Sequence, residues 1–159
     1  MAISVRVARL PQDESAIFSF INGLQEHEAA FEPNRRLDTA FPAEHWREVQ
    51  RRCAERNGVI LIAEDEENPV GWAFAHDETG ELFVVEAERI HGFLAELYVV
   101  PEARGKGFGR ALIGGCEEWA REREHKLLMV GVLAKNPSAI SSYKSAGYGS
   151  YALTMRRYL

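Results

Sequence analysis

The chain has 159 residues, 46% of them apolar and 27% charged, with a formal net charge of −5. That length suits one domain, residues 1–159, because two independent cores would each lie near the lower size limit, and the composition excludes a disordered or fibrous chain. No apolar run approaches the roughly 20 residues that a membrane-spanning helix needs, and the overall acidity argues against nucleic acid as the main partner.

Met1 to Arg6 lack the basic-then-apolar layout of a signal peptide. Cys53 and Cys116 form no CxxC pair and no metal-ligand spacing. Both fall on the apolar side of predicted helices, so they read as buried free thiols in a reducing cytoplasm, with no metal implied.

Val5 to Ala8 alternates like a short half-buried strand. A helix opening at Asp13 or Glu14 follows, with Ile17, Phe20, Ile21 and Leu24 on one face. Phe31 to Phe41 contains Pro33 and Asn34 and reads as a loop. A second helix, from about Ala43 to Arg56, buries Trp46, Val49 and Cys53 and stops at Asn57-Gly58. Val59 to Ala63 and Val70 to Ala75 then form an antiparallel hairpin around an acidic turn. Asp77 to Gly80 reads as a turn and Leu82 to Val85 as a short strand or a continuation of the sheet.

Phe93 to Val100 is a strand ending at Pro101, and a helix from about Gly107 to Arg123 turns Leu112, Ile113, Cys116, Trp119 and Ala120 inward. Gly114-Gly115 inside that helix is unfavourable by about 1 kcal/mol per residue. Close approach of another element, or of a second subunit in a homodimer, would account for it. Leu127 to Leu133 is a nearly continuous apolar strand of the kind covered on both faces. Asn136-Pro137 suits the cap and first position of a last helix, which ends at Ala146-Gly147. Tyr148 to Tyr158 supplies one or two closing strands. The result is a single mixed α/β sheet flanked by helices.

Charge is distributed unevenly. Ile60 to Glu96 holds ten acidic residues and one basic, whereas Pro101 to Leu159 holds ten basic and five acidic. Such a chain can meet a cation at one part and a polyanion at the other, or can simply carry a solvated acidic surface.

The stretch Arg104-Gly105-Lys106-Gly107-Phe108-Gly109-Arg110 joins a strand to a helix. Alternate glycines let the backbone approach a ligand, and the unpaired first amides of the helix, with its partial positive charge, form a socket for phosphate oxygens. Arg104, Lys106 and Arg110 add three cations, so the loop reads as a diphosphate site. A dinucleotide fingerprint needs GxGxxG early in a βαβ unit, and a Walker loop needs Ser or Thr after Gly-Lys; neither fits here.

Together with Leu97-Tyr98-Val99-Val100-Pro101 before it, this loop resembles the acetyl-CoA motif of the GNAT acetyltransferases, R/Q-x-x-G-x-G/A. Asn136-Pro137-Ser138-Ala139 through Tyr143 to Gly147-Tyr148 resembles that family's later motif, N-x-x-A-x-x-x-Y-x-x-x-G-F, with Tyr148 in place of Phe. The two motifs cover about the last 60 residues, and the order of elements is similar throughout. The resemblance implies a GNAT fold whose fourth and fifth strands splay into a V, with acetyl-CoA as cosubstrate. Pantetheine would lie along Leu97, Tyr98 and Val99 as if it were an extra strand. The pyrophosphate would sit on Gly105 to Arg110, and Asn136, Ser138 and Tyr143 would complete the cosubstrate site.

The reaction implied is direct attack of an amine on the thioester. Tyr143 matches a tyrosine that, in the family, often protonates the departing sulfur; packing against Ile140 is the alternative reading. Glu96 is the only charged residue within Phe93–Val100 and shares a face with Tyr98. It is the candidate general base, with substrate binding or a structural ion pair as the alternatives. His76 and His91 are further base candidates, and the Tyr98 or Val99 amide is a candidate oxyanion donor. The acceptor expected is a small cationic amine. A protein N-terminus or lysine as acceptor, and a non-catalytic acyl-CoA sensor, remain open alternatives.

Overall fold

The apolar runs become one five-stranded sheet in a computed structural model that describes residues 2–159. Strand β1 (Ile3–Val7) leads to helices α1 (Glu14–Ala29) and α2 (Phe41–Glu55), then to strands β2 (Val59–Asp65) and β3 (Asn68–Thr79). A single helical turn, α3 (Glu86–Arg89), precedes β4 (Ile90–Val99). Helix α4 (Phe108–Glu122), β5 (Leu128–Val130) and α5 (Pro137–Ser145) follow. The strands lie in sequence order; β1 to β4 pair antiparallel, and β4 pairs parallel with β5, so the sheet is mixed as expected.

Helices cover both faces because successive strand residues point to opposite sides. On one face Phe108, Leu112, Ile113 and Cys116 of α4 pack on Leu61, Ala63, Ala73, Leu94 and Val99. On the other, Ile17, Phe20 and Ile21 of α1 and Trp46 and Val49 of α2 pack on Ile60, Ile62, Trp72, Phe74 and Tyr98. Gly115 is explained within the chain. A Cβ there would stand 2.8 Å from Leu61 Cδ1 and 3.3 Å from Val5 Cγ1, so its absence lets α4 approach β1 and β2. Gly114 faces open space, and nothing in the structure accounts for it.

Four expectations need correction. Asp77 to Thr79 do not turn; they extend β3 and pair with Gly92, His91 and Ile90. Leu82 to Val85 are not a strand. Arg89 Nη2 donates to the Leu82 and Val84 carbonyls, bending the segment, and Leu82, Phe83 and Val85 stand exposed. Leu127 to Leu133 yields only the three residues of β5, because β4 and β5 pair from Gly92↔Leu128 to Leu94↔Val130 and then part. Tyr148 to Tyr158 forms no strand. Tyr151, Leu153 and Met155 are exposed, and β5 is too short to offer them a sheet edge.

Candidate active site

The parting of β4 and β5 opens the cleft. Beyond Leu94, strand β4 continues through Ala95, Glu96 and Leu97 with no partner on its β5 side, leaving backbone groups free to pair with an extended ligand. A cleft of about 70 Å³ lies there between β4 and residues 130–133, closed by Asn136, Ala139 and Tyr143 of the α5 region and by Leu24 and Glu28 of α1. It runs into a second cleft of about 130 Å³ reaching α2, where Phe41 and His45 form the far wall. Leu24, Glu28, Ala95 and Glu96 line both.

Alternation with Tyr98 puts Glu96 on the α1/α2 face, and a β-bulge breaks the register at the residue before it. The register of β3 on β4 passes from Phe74↔Glu96 to Ala75↔Leu94, leaving Ala95 as the extra residue. Such an insertion re-aims the side chains beside it. Ala95 therefore packs with Tyr98 on the α1/α2 face, while Leu94 and Leu97 face α4. Glu96 points into the cleft, where its Oε1 accepts a hydrogen bond from His45 Nε2–H. Glu28, the other carboxylate in the cleft, is paired with Arg35 Nε at 2.9 Å.

Tyr143 lines the opposite wall. Burial, helped by the Cys116 thiol and the Glu28 carboxylate, pushes its phenol well above the usual range. It therefore stays protonated. Its ring meets Tyr148 edge-on at 5.7 Å, and its hydroxyl has no hydrogen-bond partner among the described residues.

The glycine loop stands at the end of the same cleft wall. Pro101–Ala103 form one 3₁₀ turn, then Gly105 and Gly107 take φ of +73° and +100°, which place the first turn of α4. The first intrahelical bond is Ala111 N–H to Gly107 C=O, so the amides of Phe108, Gly109 and Arg110 are unpaired main-chain donors. The side chain of Phe108 is buried in the core, and only its backbone belongs to the loop.

The three cations differ in how free they are. Arg104 Nε donates to the Val99 carbonyl at 2.9 Å, and its guanidinium carbon lies 5.4 Å from the centre of the Tyr98 ring. Arg110 Nη1 donates to the Ser145 carbonyl at the end of α5. Lys106 is exposed and makes no ion pair among the described residues.

Asn136 is buried and caps α5, its Oδ1 accepting from Ala139 N–H at 3.1 Å, which leaves its Nδ2 donors for the cleft. Ser138 is exposed in the first turn of α5 and lines neither cleft. Leu97 lines the narrower cleft, whereas the Tyr98 and Val99 side chains are in the two cores.

His76 and His91 line neither cleft. His76 is buried between Phe74 and Phe93, with Nδ1 2.8 Å from the Asp77 carbonyl, and His91 Nδ1 lies 3.2 Å from the Arg89 carbonyl. The acidic stretch also faces elsewhere, apart from Glu96. Glu64 pairs with Arg6, Glu78 with Arg56, and Asp77 with Arg123. Glu28, Phe41 and His45 are the lining residues that sequence reasoning missed. They come from helices remote in the chain, and only the helical spacing of Phe41 and His45 hints that those two share a face.

The pattern that defines the acetyltransferase (GNAT) family matches residues 21–148, and the chain belongs to that family of acyltransferases. YhfO, an uncharacterized N-acetyltransferase of Bacillus subtilis, is 31% identical over 100 residues, 63% of this chain and 64% of that protein. A mycothiol acetyltransferase of an Arthrobacter species is 27% identical over 161 residues, 93% of this chain and 48% of that protein. The chain thus spans less than two thirds of the length of these curated relatives. Among solved structures, a tetramutant of the BH1408 protein from Bacillus halodurans matches with a TM-score of 0.81 at 20% identity, over 98% of this chain and 99% of that one. An aminoglycoside antibiotic 6'-N-acetyltransferase from Acinetobacter haemolyticus matches with a TM-score of 0.73 at 18% identity, over 98% and 99%. At these identities the solved structures establish the shared fold.

Proposed function

We propose that this protein is a cytoplasmic, single-domain enzyme that transfers acetyl from acetyl-CoA to a primary amine on a small cationic acceptor. The observation that carries this reading is two adjoining clefts that share Glu28 and Glu96 in their linings, with a protonated phenol, Tyr143, facing β4 in one of them. The substrate diphosphate fits the unpaired amides of Phe108 to Arg110 with Gly105 and Gly107, assisted by Lys106 and by Arg104 and Arg110 at the rim. The pantetheine arm fits the open edge of β4 at Leu97 to Val99, facing Asn136 Nδ2, with Ser138 at the outer margin.

The chemistry is written in protons. A protonated amine and a thioester become an amide and a thiol, with one proton lost to solvent. Glu96 takes a proton from the ammonium, and the neutral amine attacks the carbonyl carbon, whose oxygen becomes an oxyanion held by the Tyr98 or Val99 amide. The thiolate leaves as the carbon–sulfur bond breaks, and Tyr143 gives it a proton. The second amine proton restores Tyr143 through water.

The names of a relative and a structural neighbour refer to small molecules, mycothiol and an aminoglycoside antibiotic, which accords with a small amine here. The test measures thiol release from acetyl-CoA with 1,4-diaminobutane, spermidine, lysine, neutral amines of similar nucleophilicity, glucosamine 6-phosphate and a short peptide. Cationic amines should have the higher kcat/KM. The preference should shrink with salt, as charges are screened over about 8–10 Å near 0.1–0.15 M. Equal rates at low salt, or a preference for the anionic sugar, would refute a cationic acceptor, and the peptide in first place would make the enzyme a protein acetyltransferase.

A further inference from the structure

We propose that His45 is a positioning residue for the acceptor chemistry: it holds one oxygen of Glu96 and so presents the other to the incoming ammonium. The proposal rests on the reading of Glu96 as the proton acceptor. Three observations carry it. His45 reaches Glu96 across the sheet–helix interface, 51 residues away in sequence, and donates from Nε2 to Oε1 alone. Oε2 has no partner among the described residues, although the carboxylate is only 14% exposed. That oxygen is left reachable from the cleft. The wider cleft, lined by Glu96, is the place from which a cation can reach it.

The second observation is how firmly the imidazole is held. Phe41, one helical turn before it, stacks on the ring at 5.1 Å with an interplanar angle of 21°, and Arg36 lies 5.6 Å from the Phe41 ring centre. His45 thus has Glu96 in front, Phe41 behind, and Glu28 and Gln25 of α1 across the cleft. A side chain with a fixed plane and one hydrogen bond to a reacting carboxylate is the arrangement by which a base is oriented by a third group.

The third is the backbone at Ala95. Glu96 pairs with Phe74 before the bulge interrupts the register, so it shares the α1/α2 face with Tyr98 and borders both clefts. The hydrogen bond to His45 selects the wider one. No atom of His45 needs to meet the thioester, and its effect should fall on the amine half of the reaction.

The experiment separates donor from shape. His45→Phe keeps the stack on Phe41 and removes the N–H, and His45→Met does so with an adaptable side chain, so that misfolding of one leaves the comparison intact. His45→Gln places an amide N–H where Nε2 stood. With acetyl-CoA and 1,4-diaminobutane, or a faster amine of the panel above, Glu96→Gln should lower kcat/KM for the amine by about 10²-fold. His45→Phe and His45→Met should lower it roughly tenfold, His45→Gln should return to within about threefold of wild type, and KM for acetyl-CoA should hold in all four. The double variant His45→Phe/Glu96→Gln should be no slower than Glu96→Gln alone.

Full activity in His45→Phe with an impaired Glu96→Gln would overturn the positioning role and leave the proposed function standing. Equal losses in His45→Gln and His45→Phe would assign His45 to packing and overturn the proposal. Wild-type activity in Glu96→Gln, or no turnover of any amine by the wild type, would overturn the reading of Glu96 and this role with it.

Discussion

Tyr143 meets two demands with one side chain. It packs against the α4 face with Tyr148, as an aromatic on a helix should, and it leaves its hydroxyl unbonded at the cleft. The proposed donor to the thiolate has to be protonated beforehand, as a phenol ordinarily is at pH 7, and burial moves Tyr143 further in that direction. Tyr143→Phe keeps the ring and removes only the hydroxyl. We expect turnover to fall by about 10²-fold with unchanged affinity for CoA, measured by single-turnover kinetics and calorimetry. Near-wild-type turnover would leave Tyr143 with packing alone. Behind it, the Cys116 thiol is pushed up to about 12, first by burial and then by Glu117. The thiolate is the reactive form, so Cys116 should resist alkylation at pH 8 in the folded protein and react once guanidinium unfolds it, as mass spectrometry would show.

At the level of elements, the start of α4 decides where a diphosphate can lie. Gly107 holds φ at +100°, and a Cβ there would stand 3.2 Å from Ile3 Cδ1. Gly107→Val would therefore strain the loop by about 1–3 kcal/mol and turn the first amides away from their line. Affinity for CoA should drop at least tenfold by calorimetry while the far-ultraviolet circular dichroism is retained. Unchanged affinity would sink the assignment of the loop. Arg104 should carry less of this proposed binding than its position in the motif implies, because the Val99 carbonyl and the Tyr98 ring already engage it at the end of β4. Lys106 is the loop cation left to respond to ligand and salt.

Over the whole molecule, the acidic middle of the chain serves cohesion more than recognition. Asp77, at the far end of β3, accepts from Arg123 Nε and Nη2 at 2.9 and 2.6 Å, from His125 Nε2 at 2.7 Å and from Asn57 Nδ2 at 3.0 Å. It ties the ends of α2 and α4 to the sheet. Burial opposes its charge, yet those three partners hold its carboxyl at about 2. A carboxylate depressed on folding gives stability that is complete above its unfolded value, near 4, and is lost as pH falls through about 2. Asp77→Asn should thus lower Tm at pH 7, by roughly 4–8 °C for a loss of about 2 kcal/mol. The gap to wild type should close between about pH 4 and pH 2 in melts recorded at each pH. A gap of the same size at pH 2 would show that shape, and not charge, sets the contribution of Asp77.

Features dictated by local chemistry were legible in the sequence: the α4 start, where three glycines meet a helix; the Asn136-Pro137 cap; the apolar faces of α1, α2 and α4; and the two motifs that resemble the GNAT family. Each depends on residues within a turn or two of one another. What depends on distant partners was not legible. Leu82 to Val85 is as apolar as a strand but pairs with no strand among the described residues, and the tail from Gly149, tied to Glu32 through Arg156, pairs with none either. The β4–β5 pairing ends at Leu94↔Val130, so a long apolar run became a three-residue strand beside an open cleft. Glu96 was visible as a lone charge in a strand. Its face, shared with Tyr98, followed from alternation, but its partner came from a helix 51 residues earlier, so the Glu96–His45 pair exists only in the tertiary structure. Periodicity records which face a residue takes on its own element, and only packing decides which elements those faces meet.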